Sequence, residues 1–146
     1  MSPRSIPAPT ITRGTFASRT SAVRAEPTDS VNIRELALVA ARAADDRKAN
    51  DVLILDVAAT LVVTDLFVIA SASNNRLVAA IVDAVEEAIK AAGGPGPTAV
   101  EGLSEASWVL MDYAGFVVHV FADETRKYYD LERLFADSPV VAWQIS

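Results

Sequence analysis

Apolar residues recur every three or four positions in two segments of the chain, residues 30–48 and residues 74–92. This spacing predicts two amphipathic helices, because it gathers the apolar side chains on one side of each helix. Asp29 or Ser30 is expected to cap the first helix and Ser73 the second, since short polar side chains accept hydrogen bonds from first-turn amides. The residues predicted to face the core are Ile33, Leu36, Ala37, Ala40, Ala43 and Ala44 in the first helix and Leu77, Ile81, Ala84, Val85, Ala88 and Ala92 in the second.

Short apolar runs without helical spacing predict strands elsewhere in the chain. Val52–Leu55 and Leu66–Ala70 contain no polar residue, which suits strands that are buried on both faces. Gly115 lies in a short turn between two further runs, where a glycine supplies the backbone freedom that a hairpin needs. Residues 123–135 are expected to be helical in one or two pieces, and the residues after Pro139 to form a tail. The predicted strands span residues 51–57, 66–71, 98–101, 108–112 and 116–121.

The order of these elements predicts an α/β fold. A helix and two strands come first, a long helix follows, and three more strands precede the last helix. Because the long helix crosses between two groups of strands, we expect a single mixed sheet of about five strands with helices packed on it. Residues 30–143 are expected to form one domain.

Residues 1–29 differ in composition from the rest of the chain. They are rich in Ser, Thr, Pro, Ala and Arg and have no apolar periodicity, which predicts a disordered N-terminal extension. Residues 1–25 contain four arginines and no acidic residue, and an arginine- and serine-rich start is also typical of an organelle transit peptide. Both interpretations stay open at the level of sequence.

Charge and composition exclude several classes of protein. No apolar run approaches the roughly 20 residues of a membrane helix, and without cysteine there is neither a disulfide nor a thiolate zinc site. From Ser30 onward the chain has nine Lys or Arg and seventeen Asp or Glu. An acidic body is a poor ligand for phosphate backbones, so we expect no direct sequence-specific binding of nucleic acid. It is a suitable ligand for a basic protein surface.

Six short pieces of the sequence, in this order and spacing, resemble the Iojap or ribosomal silencing factor family. The resemblance covers residues 30–143, and its most specific parts are the Glu-Gly, Trp-x-x-x-Asp, Val-His-Val-Phe and Tyr-Asp-Leu-Glu motifs. The loop 70–76 departs from the family pattern, because it lacks the usual glycine before the arginine. The pieces are residues 64–70 (TDLFVIA), 73–76 (SNNR), 100–103 (VEGL), 107–113 (SWVLMDY), 117–121 (VVHVF) and 126–134 (RKYYDLERL).

The resemblance implies a nucleotidyltransferase-like fold without transferase activity. It further implies a cytoplasmic protein that binds the large ribosomal subunit, through the large-subunit ribosomal protein numbered fourteen. The bound protein would block association with the small subunit and repress translation. The resemblance also implies a homodimer of the isolated protein, and a location in an organelle matrix or stroma if residues 1–29 are a transit peptide.

Four residues are candidates for the partner-binding site: Trp108, Leu110, Asp112 and Glu101. The first three share one side of a strand because side chains alternate along it, and a tryptophan is the residue type that most often anchors an interface. The resemblance supports this role for Trp108, since the family's matching tryptophan lies in the ribosome contact. If Trp108 is buried, ordinary core packing is the alternative. For Glu101 the alternative is a solvated charge at a strand end.

The residues of a catalytic site are missing from the sequence. A nucleotidyltransferase needs a Gly-Ser loop and two carboxylates one residue apart on a strand, to hold two divalent ions. Ser71 and Ser73 have no glycine beside them, and Asp112 stands alone. His119 shares a strand face with apolar residues, where a histidine is more often a hydrogen-bonded structural group than a base or ligand. We therefore expect no catalytic residue, metal or cofactor.

Two other functions remain open from the residues. A direct RNA-binding factor would show a steep salt dependence, although the acidic body opposes it. A nucleotide-sensing, non-catalytic module of nucleotidyltransferase-like fold would be stabilised by a nucleotide with magnesium.

Overall fold

The computed structural model describes residues 32–144, which form one mixed sheet and the helices that pack on its two faces. The α/β prediction is confirmed. Because residues 1–31 lie outside the described part, the predicted N-terminal extension stays a prediction. The described helices are α1 (Ile33–Asp46), α2 (Asn75–Ala91), α3 (Asp123–Tyr129) and α4 (Leu131–Leu134), and the strands are β1 (Asn50–Asp56), β2 (Leu66–Ala72), β3 (Ala99–Glu101), β4 (Trp108–Tyr113), β5 (Phe116–Ala122) and β6 (Val140–Val141).

The sheet has the strand order β3-β4-β5-β2-β1-β6. The central pair β2 and β5 is parallel and every other neighbouring pair is antiparallel. The long crossover through α2 and the following strands makes the parallel pair possible, since parallel neighbours cannot be joined by a tight turn. The chain therefore builds its sheet around β2 and β5, with β4 next to β5 on one side.

Strand β6 corrects the expectation that the residues after Pro139 form a tail. Val140 pairs with Leu55 of β1, and the amide of Asp56 donates to the carbonyl of Pro139 at 2.8 Å. The indole of Trp143 is buried and donates to the carbonyl of Val52 at 3.0 Å. A strand of two residues is too short to give a periodic signal, so the sequence predicted one strand too few.

Both expected helix caps are wrong, because an asparagine further along the chain caps each helix instead. Asn32 accepts from the amide of Arg34 at 2.7 Å, and Asn74 accepts from the amide of Leu77 at 2.8 Å. Each asparagine has the extended backbone that a cap requires. Asp29 and Ser30 lie outside the described residues.

Helices α1 and α2 cover one face of the sheet and enclose the larger part of the core. Four of the six residues predicted to face the core from α1 are buried, namely Leu36, Ala37, Ala40 and Ala44, while Ile33 and Ala43 are partly buried and the unpredicted Ala41 is buried. In α2 the buried side differs from the predicted one by a rotation of about one position along the helix. The β-branched residues bury more apolar area in this orientation than the predicted alanines would. The buried residues of α2 are Val78, Ile81, Val82, Val85 and Ile89. Within residues 32–144, no helix has the length and apolar character to cross a bilayer.

Gly115 joins β4 to β5 at the point where α1 begins. Its φ is 99°, and a Cβ at this position would collide with the side chain of Ile33. Replacing Gly115 by Ala should therefore lower the free energy of unfolding by roughly 3 kcal/mol, from backbone strain and overpacking together. Chemical denaturation measures this change. Gly96→Ala is the matched control, because an added Cβ has nothing within 4 Å there. Equal stabilities of the two variants would contradict the prediction.

Candidate partner-binding face

The face of the sheet opposite α1 and α2 is rich in aromatic side chains. We call it the aromatic face. Side chains alternate along each strand, so the residues directly opposite one another on β2, β5 and β4 point to the same side. His119, for example, pairs with Ile69 of β2 and with Leu110 of β4. The members of the aromatic face on these three strands are Phe67, Ile69, Trp108, Leu110, Asp112, Val117, His119 and Phe121.

Trp108 begins β4 and lies in the middle of an aromatic cluster. Its ring stacks on Phe121 with the centroids 4.7 Å apart and is tilted against Tyr129 of α3 at 5.0 Å. Its Nε1–H donates to Nδ1 of His119 at 3.2 Å. The side chain is only 7% exposed, so the isolated chain holds it within the fold.

The other three predicted site residues lie on the same face, on neighbouring strands. Leu110 and Asp112 follow Trp108 along β4, and both are fully buried. Glu101 lies on the edge strand β3 directly opposite Leu110 and is half-buried. Val109 and Met111 face α1 and α2, as the alternation predicted. The structure thus brings the four candidates together, although three of them have little exposed surface in the isolated chain.

His119 is a neutral imidazole inside the aromatic face. Because Nδ1 accepts from Trp108, the ring hydrogen belongs on Nε2. Its ring and that of Phe67 meet edge to face, with the centroids 4.5 Å apart. Burial lowers the pKa of His119 from its ordinary 6.5 to about 3. Its Nε2 is buried and has no hydrogen-bond partner among the described residues.

This low pKa predicts a loss of stability in mild acid. The unfolded chain takes up a proton on His119 as the pH falls below about 6.5, whereas the folded chain does so only near 3. Between these values the free energy of unfolding should fall by about 1.4 kcal/mol per pH unit from this group alone. Urea denaturation at several pH values measures the slope, with His119→Asn as the control that lacks the titration. Parallel slopes for the wild type and the variant would contradict a buried neutral histidine.

Helices α3 and α4 cover part of the aromatic face. Leu131 is buried there, and Tyr129 and Phe135 pack against the same cluster. The neighbouring Tyr128 is 53% exposed and meets Tyr129 edge to face at 4.8 Å. The segment from α3 to Phe135 therefore forms a partial aromatic lining over Trp108.

Arg126 of α3 holds this segment against the sheet, a role that was not predicted although Arg126 begins one of the six pieces of the family resemblance. The side chain is buried, and it donates to the carbonyls of Asn50 at 3.2 Å and Asp51 at 2.9 Å. It also donates to Oγ of Ser71 at 3.0 Å. Two further bonds, of 3.1 and 2.9 Å, join it to one carboxylate oxygen of Glu132. Ser71 belongs to the stretch 70–76 that departs from the family pattern, but it lies in β2 and is part of a structural network.

The acceptors of Arg126 explain why sequence reasoning missed it. Asp51 has a left-handed backbone with φ of 46°, and the pairing of β1 with β2 shifts register between Asn50 and Leu53. This bulge turns two backbone carbonyls toward α3, where the guanidinium binds both. A register shift of this kind leaves no pattern in the residue types.

The described residues contain no group of three or more His, Cys, Asp or Glu side chains that is arranged to hold a metal ion. His119 on the aromatic face could act as a base through Nδ1, but that nitrogen already accepts a hydrogen bond from Trp108. The arrangement is suited to contact with a macromolecule through stacked aromatic rings and a few polar groups.

Comparison with known proteins links the chain to ribosome-associated factors. Residues 30–145 match the family described as "Ribosomal silencing factor during starvation". A ribosomal silencing factor of Bacillus subtilis (strain 168) is 36% identical over 110 residues, which cover 75% of this chain and 92% of that relative. A mouse protein named "Mitochondrial assembly of ribosomal large subunit protein 1" is 30% identical over 90 residues, covering 60% of this chain and 39% of that relative.

A solved structure from Chromobacterium violaceum has the same fold. Its TM-score to this chain is 0.70 at 29% sequence identity, over 80% of this chain and 95% of that one. The mixed sheet and its helices are therefore an architecture that related proteins share.

Proposed function

The chain belongs to the ribosomal silencing factor family, and we propose on this basis that it binds the large ribosomal subunit and sterically blocks the small subunit from joining. Translation is repressed while the domain stays bound. The mechanism requires neither turnover nor a cofactor, because the bound domain acts by filling space. The observation that carries the choice of surface is the gathering of Trp108, Leu110, Asp112 and Glu101 on one face of β3 and β4.

The charge of the domain favours a basic partner. From Ser30 onward the acidic residues outnumber the basic ones by eight. Complementary charge speeds association and selects against acidic surfaces. The partner that the family resemblance implies is the large-subunit ribosomal protein numbered fourteen, on the surface where the small subunit docks.

Docking at the aromatic face requires a local rearrangement, because Trp108 is almost fully covered in the isolated chain. Tyr129 is half-buried and belongs to the short helix α3, whereas Phe121 belongs to the central strand β5. We therefore infer that Tyr129 moves aside and that Trp108 stays on Phe121. The uncovered indole then offers the partner a desolvated aromatic anchor.

Co-sedimentation with separated ribosomal subunits tests this function. The purified protein should pellet with the large subunit and not with the small one, and high salt should weaken the binding of an acidic domain to a basic surface. A variant with Tyr128→Ala, on the exposed rim of the same face, should bind less tightly, by roughly threefold. Failure of the wild type to pellet with either subunit would exclude the proposed function.

The family resemblance also implies a homodimer of the free protein and a cytoplasmic location, and we retain both as proposals. Light scattering coupled to gel filtration measures the mass in solution against the 15.5 kDa of one chain. A fusion of residues 1–29 to a reporter tests the alternative location in an organelle, since import would depend on that segment.

A further inference from the structure

The imidazole of His119 connects the candidate anchor to the centre of the sheet. Its Nδ1 accepts from Trp108 at 3.2 Å, and its Nε2–H is buried without a partner among the described residues. Buried donors without an acceptor are rare in folded proteins, because each one costs free energy. An apolar side chain of similar shape would avoid that cost, so the donor calls for an explanation beyond packing.

We propose that His119 is a positioning residue of the partner-binding face, which fixes the Trp108 indole through Nδ1 and offers its Nε2–H to a carbonyl oxygen of the docked partner. This inference rests on the proposed function, and it specifies one polar contact at the centre of the partner-binding face. The partner's oxygen would supply the acceptor that residues 32–144 do not provide. His119 is a hydrogen-bond donor here and takes no part in catalysis.

The contacts around Trp108 explain why a hydrogen bond is needed to hold it. Three aromatic rings among the described residues lie against its ring: those of Phe121, Tyr129 and His119. Tyr129 belongs to α3 and is the one that moves in the proposed docking. Stacking on Phe121 alone would let the indole slide or turn in its plane, whereas the bond to Nδ1 fixes the direction of its N–H.

The same rearrangement would open a path to Nε2. Phe135, after α4, packs edge-on against Phe67 with the centroids 5.0 Å apart. Phe67 in turn packs on the ring of His119 at 4.5 Å. If the Phe135 side chain turns aside together with Tyr129, the aromatic packing above both Trp108 and His119 loosens, while Arg126 keeps α3 on the sheet. One local change exposes the anchor and the donor together.

Nuclear magnetic resonance of the free protein tests the positioning of Trp108. Nitrogen-15 spectra should place the ring hydrogen of His119 on Nε2, and the Trp108 indole hydrogen should have the downfield shift of a hydrogen-bonded group. His119→Asn, whose amide oxygen can take the place of Nδ1, should preserve that shift. His119→Phe should abolish it. A hydrogen on Nδ1, or an indole shift that is the same in His119→Phe, would overturn this half of the proposal. Trp143→Phe assigns the two indole signals.

Binding to large subunits tests the donor. His119→Asn should weaken binding by roughly three- to tenfold, because it keeps the bond to Trp108 but has no donor at the position of Nε2. His119→Phe should weaken binding further, since it loses both contacts. Met111→Leu, buried on the opposite face, is the folding control and should bind as the wild type does.

The possible failures are distinguishable. If the wild type binds and His119→Asn binds equally well while folded, the donor role is wrong. If the wild type does not bind large subunits at all, the proposed function and the donor role both fall, and the indole resonance alone decides whether His119 positions Trp108.

Discussion

Replacing Arg126 by Ala should lower the free energy of unfolding by about 3 kcal/mol, because the hydrogen bonds of a buried, charged donor to both backbone and side-chain acceptors are lost. The carbonyls of Asn50 and Asp51 and the hydroxyl of Ser71 all accept from this guanidinium. Thermal or urea denaturation measures the change. Lys127→Ala is the matched control, since the neighbouring side chain is exposed and should change stability by less than about 0.5 kcal/mol.

The Arg126→Ala variant should also loosen α3 and α4 before the rest of the domain. Hydrogen exchange should rise in residues 123–135 and stay slow in β2 and β5, because the sheet keeps its own ladder of hydrogen bonds. Uniform exchange across the domain would contradict a local clamp. Unchanged stability would contradict the network as a whole.

Replacing Trp108 by Ala should weaken binding to the large ribosomal subunit by about 2 kcal/mol, or roughly 30-fold, if Trp108 is the anchor of the interface. The same change removes a buried ring and should cost about 3 kcal/mol of folding stability. Binding must therefore be measured where circular dichroism shows the variant to be folded. A folded variant that binds as tightly as the wild type would exclude Trp108 as the anchor.

Trp143 offers a matched control for this experiment. It is a second buried tryptophan, at the β6 edge, and it packs with the core that faces α1 and α2. Trp143→Ala should lower stability by a similar amount and leave the affinity for the large subunit unchanged. The pair of variants thus separates loss of packing from loss of a contact.

The sheet was largely predictable because its strands carry strong local signals. Leu66–Ala70 is an unbroken apolar run, and β2 proves to be a fully buried central strand. The register that makes His119 the neighbour of both Ile69 and Leu110 was not predictable, since it depends on pairing between distant segments. Strand β6 has two residues and gains its structure from pairing with β1, which no local pattern reports.

The candidate site shows the same division. The alternation of side chains along β4 correctly predicted which residues point to which face of the sheet. Trp108, Leu110 and Asp112 lie on one face, and Val109 and Met111 lie on the other. Whether they are buried depends on how other segments pack over the sheet, so the sequence left burial of Trp108 as an open alternative. The bond from Trp108 to His119 joins side chains eleven positions apart in the chain, and the clamp at Arg126 joins positions 76 apart. Such tertiary contacts leave no periodic signature in the residues.

A subunit-joining assay tests the central claim most directly. Large subunits are first saturated with the protein, small subunits are then added, and light scattering follows the formation of joined ribosomes. If the bound domain occludes the docking surface, the joined fraction should fall in proportion to the large subunits occupied, and Trp108→Ala at the same concentration should restore it. Large subunits that carry the protein and still join at the rate of free ones would contradict the account.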